Sequence, residues 1–374
     1  MSARPSTRPP DVPPTPDRDG TPVAHPAGAL LTGPLARAHL RPGIEVLWRG
    51  TGELQLGSDP RSAVRVDGLA PAETRWLGAA GSRPLAATAR RHGVTPDRAL
   101  ELLEVLHRAG AVVDPPPVAD DPEITAPGGG GGDLAALSSV DADGWGSRVL
   151  RRRAARTVAV LGLGRTGAGI AAGLASAGVG RLVLGDARPV QATDVGATGH
   201  RLRDVGVARQ DAVAETVAQL SPATHVRTSS AERLRQADVV VLVEHRAADT
   251  ARAGRLVGAD VAHLSVVLHE AGVTVGPFVD PGRTPCLRCV DLHRRDDDPR
   301  WPTMAVQLRQ GTSGAEESAT ASVGAGLATA QVLARLDGLP VRTAGASLEV
   351  LWPDAVPRIR QWQPHASCGC HCVP

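Results

Sequence analysis

Thr157-Val-Ala-Val-Leu-Gly-Leu-Gly-Arg-Thr-Gly-Ala-Gly169 runs into a helical pattern of small residues, and then into Arg181-Leu-Val-Leu-Gly-Asp186. The first apolar, β-branched run ends in Gly162-x-Gly164-x-x-Gly167, and the second ends in an acid. Strand, glycine turn, helix, strand and acid, in that order, form a nucleotide-binding βαβ unit. The glycines permit a tight turn and let phosphate oxygens reach backbone N–H groups at a helix N-terminus. The acid suits a ribose hydroxyl. The pattern predicts a Rossmann-like α/β fold, with Gly162, Gly164, Gly167 and Asp186 as cofactor-binding residues.

Downstream, the pattern continues as α/β units. Ala208 to Leu220 reads as helix, His225 to Thr228 as strand, and Asp238 to Val243 as a central parallel strand. Arg246 to Val257 reads as helix and Ala262 to Leu268 as strand, with Val273 to Val279 as an antiparallel extension. A long small-residue helix, Thr320 to Leu336, precedes a last strand pair, Ser347 to Trp352 and Pro357 to Trp362. Upstream, helix Ser147 to Arg156 carries Arg151-Arg-Arg153, the texture of a solvated helix end.

The N-terminal third has a different character. Residues 1–36 are rich in Pro, Arg, Asp and Ser without periodicity, as in a disordered tail. Gly43 to Trp48 and Glu53 to Leu56 alternate around Gly50-Thr-Gly52 as a hairpin, and Ala63 to Asp67 adds a strand. Three helical patterns follow: Ala70 to Gly78, Pro84 to His92, and Pro96 to Ala109. The last carries Leu100, Leu103, Val105 and Leu106 behind a Thr95-Pro96 start. Ala111 to Asp114 closes a strand. Residues 37–115 thus read as a winged-helix-like α+β module. Residues 116–144, with Pro115-Pro-Pro117 and five glycines from Gly128, read as a linker.

The chain has 374 residues, and a prior of roughly 150 residues per domain suggests two or three domains. Its 41 basic and 39 acidic residues leave a net charge of +2, which points to neither nucleic acid nor membrane. With no Tyr and one Phe, the core must rest on Val, Leu, Ala and six Trp. The opening residues lack an apolar signal segment, and no apolar run approaches a membrane span, so a cytoplasmic protein is expected.

The five cysteines, an odd number, all lie in the last quarter and do not suggest a disulfide framework. Cys286-Leu-Arg-Cys289 supplies two thiolates, and the terminal Cys368-Gly-Cys370-His-Cys372 supplies more. Two pairs match the tetrahedral demand of a closed structural zinc site. Cys286, Cys289, Cys368 and Cys370 are the expected ligands, with Cys372 and His371 as substitutes. At most one thiol is then left over, which weighs against a cysteine-thioester mechanism.

A dinucleotide fold joined to a C-terminal zinc knuckle resembles the ThiF/MoeB superfamily of adenylating enzymes, over about residues 145–372. Ala177-Gly-Val-Gly-Arg-Leu-Val-Leu-Gly-Asp186 resembles that family's "AGVGRLTLVD" segment. Asp204-Val-Gly-Val-Ala-Arg209, with Leu220-Ser-Pro222, resembles its "VGxxK … NP" segment. The resemblance implies ATP and Mg²⁺ as cofactors, a homodimer, and adenylation of the C-terminus of a small carrier protein or peptide. It places phosphates along Gly162, Gly164 and Gly167, and ribose on Asp186.

Three departures stand out. Arg209 replaces the family's phosphate-binding lysine and is the one catalytic residue carried over; a planar fork does not substitute simply for an ammonium. The "NLxRQ" segment is absent, leaving Arg201 and Arg203 nearby. The magnesium-binding Asp is represented by a displaced Glu244, with Asp249 and Asp238 as weaker substitutes.

Module order, "PCLRCVDLHRRDDDPRWP" and the final "CGC" resemble the ThiF-like leader-peptide-binding proteins of azoline-forming peptide pathways. That branch implies a precursor (leader) peptide bound as an added strand and delivered to a separate cyclodehydratase. Asp291 to Asp298 reads as a solvated loop. The expected function is a binding scaffold with degenerate chemistry. The alternative is an active ATP-dependent adenylyltransferase. A DNA-reading winged helix fits poorly, because Glu101 and Glu104 lie on its third helix.

Overall fold

The computed structural model describes residues 34–80, 83–113, 131–140, 146–310, 314 and 316–371. The expected tail up to residue 33, the Pro115–Pro117 segment and Cys372 fall outside them. Two separate hydrophobic cores divide these residues.

The first core belongs to a small α+β unit. Strands β1 (His39–Leu40), β2 (Val46–Gly50), β3 (Glu53–Leu56) and β4 (Val64–Val66) precede helices α1 (Pro71–Gly78), α2 (Leu85–Ala89) and α3 (Pro96–Arg108). β5 (Val112–Val113) then pairs antiparallel with β1. β2, β3 and β4 form an antiparallel sheet in that order, so β4 is an edge. Leu54 and Leu56 turn inward at alternate positions of β3 and meet Trp76 of α1, which is fully buried. Its indole N–H donates to the Leu85 carbonyl at 3.0 Å. The unit begins earlier than expected: Pro34–Arg37 forms a 3₁₀ turn, and Ala38 is buried behind it.

Helix α3 starts at Pro96, where a missing N–H goes unused. Its buried stripe is Ala99, Leu102, Leu103 and Leu106. Leu100 and Val105, expected in that stripe, are 37% and 45% exposed. Arg98 is also engaged: it donates to Glu73 at 2.9 Å and pairs with Glu101.

The expected linker contains an ordered element. Helix α4 (Gly131–Val140) packs on α5 (Gly146–Ala154), where the Ser138 hydroxyl accepts the Gly146 N–H. On its other side, a Cβ at Gly43 would lie 2.6 Å from the Ala135 carbonyl oxygen. Glycines at its start are overruled by tertiary packing on both sides.

The second core surrounds an eight-stranded sheet. In chain order its elements are β6 (Thr157–Leu161), α6 (Arg165–Ser176), β7 (Arg181–Gly185), α7 (Arg209–Leu220), β8 (His225–Thr228), α8 (Ala231–Arg235), β9 (Val239–His245) and α9 (Thr250–Gly258). They continue with β10 (His263–His269), β11 (Gly272–Val279), α10 (Leu287–Asp297), α11 (Trp301–Gln310), α12 (Ser318–Asp337), β12 (Ala346–Leu351) and β13 (Arg358–Gln361). The spatial order is β13-β12-β11-β10-β9-β6-β7-β8. β8 to β10 run parallel, and β11 to β13 add antiparallel, as the sequence predicts. Helices cover both faces, so β6 and β9 read as continuous apolar runs. α6, α7 and α12 join one side of the core, and α9 the other.

Small residues set the spacing on the α12 side. A Cβ at Gly324 of α12 would lie 2.6 Å from Val273 Cγ1, and one at Gly169 of α6 would lie 3.0 Å from the Ala325 Cβ.

Three sequence expectations are corrected here. Asp291 to Asp298 is not a loop: most of it lies in α10, where the Asp291 carboxylate accepts the Trp301 indole N–H. The helix expected from Arg246 begins only at Thr250, because Asp249 caps it, accepting the N–H groups of Ala251 and Arg252. The arginine run of α5 is not merely solvated. Arg153 forms a fork with both carboxylate oxygens of Asp337 and also donates to the Ala177 carbonyl. Arg152 holds the Asp337 carbonyl at 2.7 Å.

The Arg153 and Asp337 side chains are 5% and 6% exposed, so removing one strands the other. Asp337→Ala is expected to cost about 3 kcal/mol or more in urea unfolding, while replacing both by apolar residues costs far less. Equal losses in the single and double variants would show that the pair itself is not the anchor.

Candidate functional site

Strand order reverses at β6: β7 and β8 extend to one side, β9 and β10 to the other. Beyond the carboxyl ends of strands at such a switch point, open α/β sheets bind ligands. A cavity of about 540 Å³ opens there, with Gly162, Asp186, Arg188, Glu244, His245 and Arg309 on its wall.

The three predicted glycines come together in the turn from β6 into α6, with Gly162 on the cavity wall, and serve different ends. Gly162 has φ +90°, and a Cβ there would lie 2.2 Å from the Val243 carbonyl oxygen. A Cβ at Gly167 would lie 1.9 Å from the Gly162 carbonyl oxygen. These two positions let the loop fold on itself and on β9. At Gly164 the obstacle is a side chain: a Cβ would lie 2.2 Å from Oε1 of Glu316.

Gly164 is the N-cap of α6. Glu316 reaches that helix end from the residue before α12's own cap, Glu317. Its Oε1 accepts the Arg165 N–H at 3.1 Å, and its Oε2 accepts the Thr166 N–H at 2.7 Å. The Thr166 hydroxyl donates to the same Oε2 at 2.6 Å. A carboxylate thus fills the place where a βαβ unit holds phosphate. Arg165 holds the approach, donating to the Glu316 carbonyl, the Ser318 hydroxyl and the Val195 carbonyl.

Asp186 stands at the end of β7, with both oxygens engaged. The Leu163 N–H and Arg209 Nη1 donate to Oδ2 at 3.0 and 3.2 Å. Arg188 bridges both oxygens, at 2.9 and 2.8 Å. Burial works to raise the Asp186 carboxyl, but Arg188, the Leu163 N–H and Arg209 together hold it at about 2.

Arg209, expected on the phosphates, lies 3% exposed between two carboxylates. It donates Nε and Nη2 to Asp194 at 2.9 and 2.8 Å, besides its contact with Asp186. The guanidinium therefore ties α7 to β7 and to the turn at Asp194. Arg201 and Arg203 reach Gln219 and Glu215 at an exposed surface.

Glu244 is buried, and burial raises its carboxyl. It accepts the Asp249 N–H at 3.0 Å and meets Arg252 at 3.4 Å, bracing the turn into α9. Asp238 starts β9, accepting the Thr157 N–H and pairing with Arg156. Burial holds His245, on the cavity wall, below the usual imidazole range. Among the described residues no acidic cluster gathers to hold a metal. As the side chains stand, a triphosphate does not fit: its cradle holds Glu316, and Arg188 and Arg209 are paired with carboxylates.

Glu316, Arg188 and Asp194 were not identified from the sequence. The Glu316-Glu317-Ser318 run ahead of α12 signals a helix cap, which Glu317 fulfils by accepting the Ala319 and Thr320 N–H groups. Nothing local aims Glu316 at a helix end far earlier in the chain.

The four expected cysteines converge. All four sulfurs lie within 4.8 Å of one another. Cys286 Sγ is 4.0 Å from that of Cys289 and 3.6 Å from that of Cys368, and Cys289 Sγ is 3.4 Å from that of Cys370. Tetrahedral metal–sulfur bonds of about 2.3 Å put sulfurs roughly 3.8 Å apart, so the set fits such an ion. Burial pushes the Cys286 thiol up to about 11, which a bound cation would reverse.

Residues 137–370 match the ThiF family, and the chain belongs to it. Its fold is shared by E. coli MccB solved with succinimide, at 15% identity and TM-score 0.64, over 89% of this chain and 99% of that one. E. coli MccB with AMPCPP and MccA matches at 14% identity and TM-score 0.65, over 89% and 99%. PaaA matches at 18% identity and TM-score 0.66, over 86% and 99%. No curated protein matches the chain by sequence.

A carboxyl held at about 2, against an ordinary 3.8, stabilises the fold at neutral pH. That contribution is lost as pH falls from about 4 through about 2. Asp186→Asn is expected to lower stability at pH 7 and to flatten the acid loss across this window, read by urea unfolding at stepped pH. An unchanged acid slope would place the loss on other carboxylates.

Proposed function

We propose that this chain binds a ribosomal precursor (leader) peptide through its N-terminal unit and presents it to a separate cyclodehydratase-type enzyme. In this reading the unit is a winged-helix-like recognition module, and the ThiF domain is a scaffold with degenerate chemistry. One observation carries it: on a unit with its own core, β4 is an edge strand that pairs only with β3 among the described residues. A free edge accepts an extended peptide as an added strand. Leu100 on α3 is an exposed apolar side chain of the same unit. Arg98, tied to Glu73, supports the module rather than the peptide. The MccB structure with MccA adds support by analogy, since it pairs this fold with a second molecule.

Adenylation draws no comparable support. Arg209 is buried between carboxylates, Glu244 braces a turn, and Asp186 already carries two arginines. Homodimerisation rests on the family resemblance.

Fluorescence anisotropy with the precursor peptide encoded beside this gene tests the reading. Removing residues 1–115 is expected to abolish binding, and Leu100→Asp to weaken it about tenfold or more, which corresponds to roughly 1.4 kcal/mol. Full affinity in the truncated chain would refute it.

We further propose that the four-cysteine site holds structural zinc, tying α10 to the chain's end as a zinc knuckle. Thiolate sets also suit iron–sulfur clusters, but a closed four-cysteine set drawn from two pairs is the pattern of a structural zinc site. The purified protein is expected to carry one zinc per chain by elemental analysis. Cys370→Ser should lose the metal and melt at lower temperature; full zinc content in that variant would remove Cys370 from the ligand set.

A further inference from the structure

The charged groups around the glycine loop are held largely by partners within the chain. Three carboxylates stand there: Asp186, Asp194 and Glu316. Two guanidiniums pair with the first two, and a third lies beside Glu316. Arg188 lies on Asp186, Arg209 lies between Asp186 and Asp194, and Arg165 donates to the Glu316 carbonyl beside it. The other two arginines of the cavity wall serve elsewhere. Arg252 meets Glu244, and Arg309 donates to the carbonyls of Ala248 and Ala305.

Glu316 is held at the helix end as a bound anion would be. Two backbone N–H groups and a hydroxyl converge on it, and the helix dipole favours its charge. Gly164 leaves the space its Oε1 enters. The residue is also fixed from behind: Glu317 caps α12, and Arg165 grips the Glu316 carbonyl and the Ser318 hydroxyl. An incoming phosphate would meet a resident carboxylate that already holds the Arg165 and Thr166 N–H groups and the Thr166 hydroxyl.

We infer that Glu316 is a built-in anion that occupies the phosphate cradle, so that it sets the cleft's specificity against nucleoside triphosphates. The cavity of about 540 Å³ walled by Gly162, Asp186 and Glu244 is large enough for a small molecule that carries no phosphate at the α6 end. The inference concerns the ThiF domain alone and stands apart from peptide binding.

Calorimetry on the full chain tests it, with adenosine, ATP and inorganic pyrophosphate as probes against wild type, Glu316→Ala and Glu316→Gln. In the wild type, ATP is expected to bind no tighter than adenosine, and pyrophosphate not to bind. Glu316→Ala should bind ATP at least tenfold tighter than the wild type does, with adenosine unchanged, because only the phosphate end has been freed. Glu316→Gln retains the size and the acceptor oxygen but not the charge, and should give a smaller gain in the same direction; it is the readout should the alanine variant fail to fold. Wild-type protein that binds ATP tenfold tighter than adenosine would overturn the inference. So would folded Glu316 variants that gain no affinity for ATP or pyrophosphate. Because no peptide enters these titrations, their failure leaves the peptide-binding reading to its own test.

Discussion

Arg209 is buried with its guanidinium shared by Asp186 and Asp194, and much of the ligand end of the sheet hangs on that arrangement. Asp186 also accepts the Leu163 N–H, so one carboxylate joins the glycine loop, the end of β7 and the start of α7. Asp194 holds the turn that follows, accepting the Gln191 N–H as well as Arg209. A charge so desolvated is tolerable only when paired and hydrogen-bonded on every side. That requirement fixes the side chains of Arg209, Asp186 and Asp194 on one another.

The same principle recurs across the ThiF domain. Arg153 is spent on the last residue of α12, Glu244 on the turn before α9, and Glu316 on the first turn of α6. Each is a residue type that adenylating chemistry would use, and each is turned to internal structure. The fold keeps the shape of a nucleotide cleft while pairing Asp186, Asp194, Arg188 and Arg209 within the chain.

The N-terminal unit differs in kind. Its core rests on Trp76 and a leucine-rich α3, and among the described residues β4 pairs only with β3. Helix α4 joins it to the ThiF domain by packing against Gly43 on one side and α5 on the other. The glycine-rich composition there suggested a linker. Composition reports the cost of ordering a segment, not the contacts that offset it.

Local pattern sufficed for the βαβ unit, the antiparallel extension, the hairpin of the first module and the cysteine pairs. Each depends on neighbours in sequence or on the chemistry of a residue type: glycine where a Cβ cannot fit, β-branched runs where both faces are covered, thiolates in close pairs. Even so, Leu100 and Val105 misled, because helical spacing shows that a stripe exists but not where its two borders with solvent fall. The roles of the charged residues lay beyond pattern altogether. Arg209, Arg153 and Glu316 find partners far along the chain, and a charge's meaning is set by what stands within hydrogen-bond reach once the chain has folded. Sequence alone determined that this protein has a ThiF-type nucleotide fold and a four-cysteine cluster. Only the tertiary structure decided that the phosphate cradle is filled by the protein's own carboxylate, because that contact depends on bringing the N-termini of α6 and α12 together.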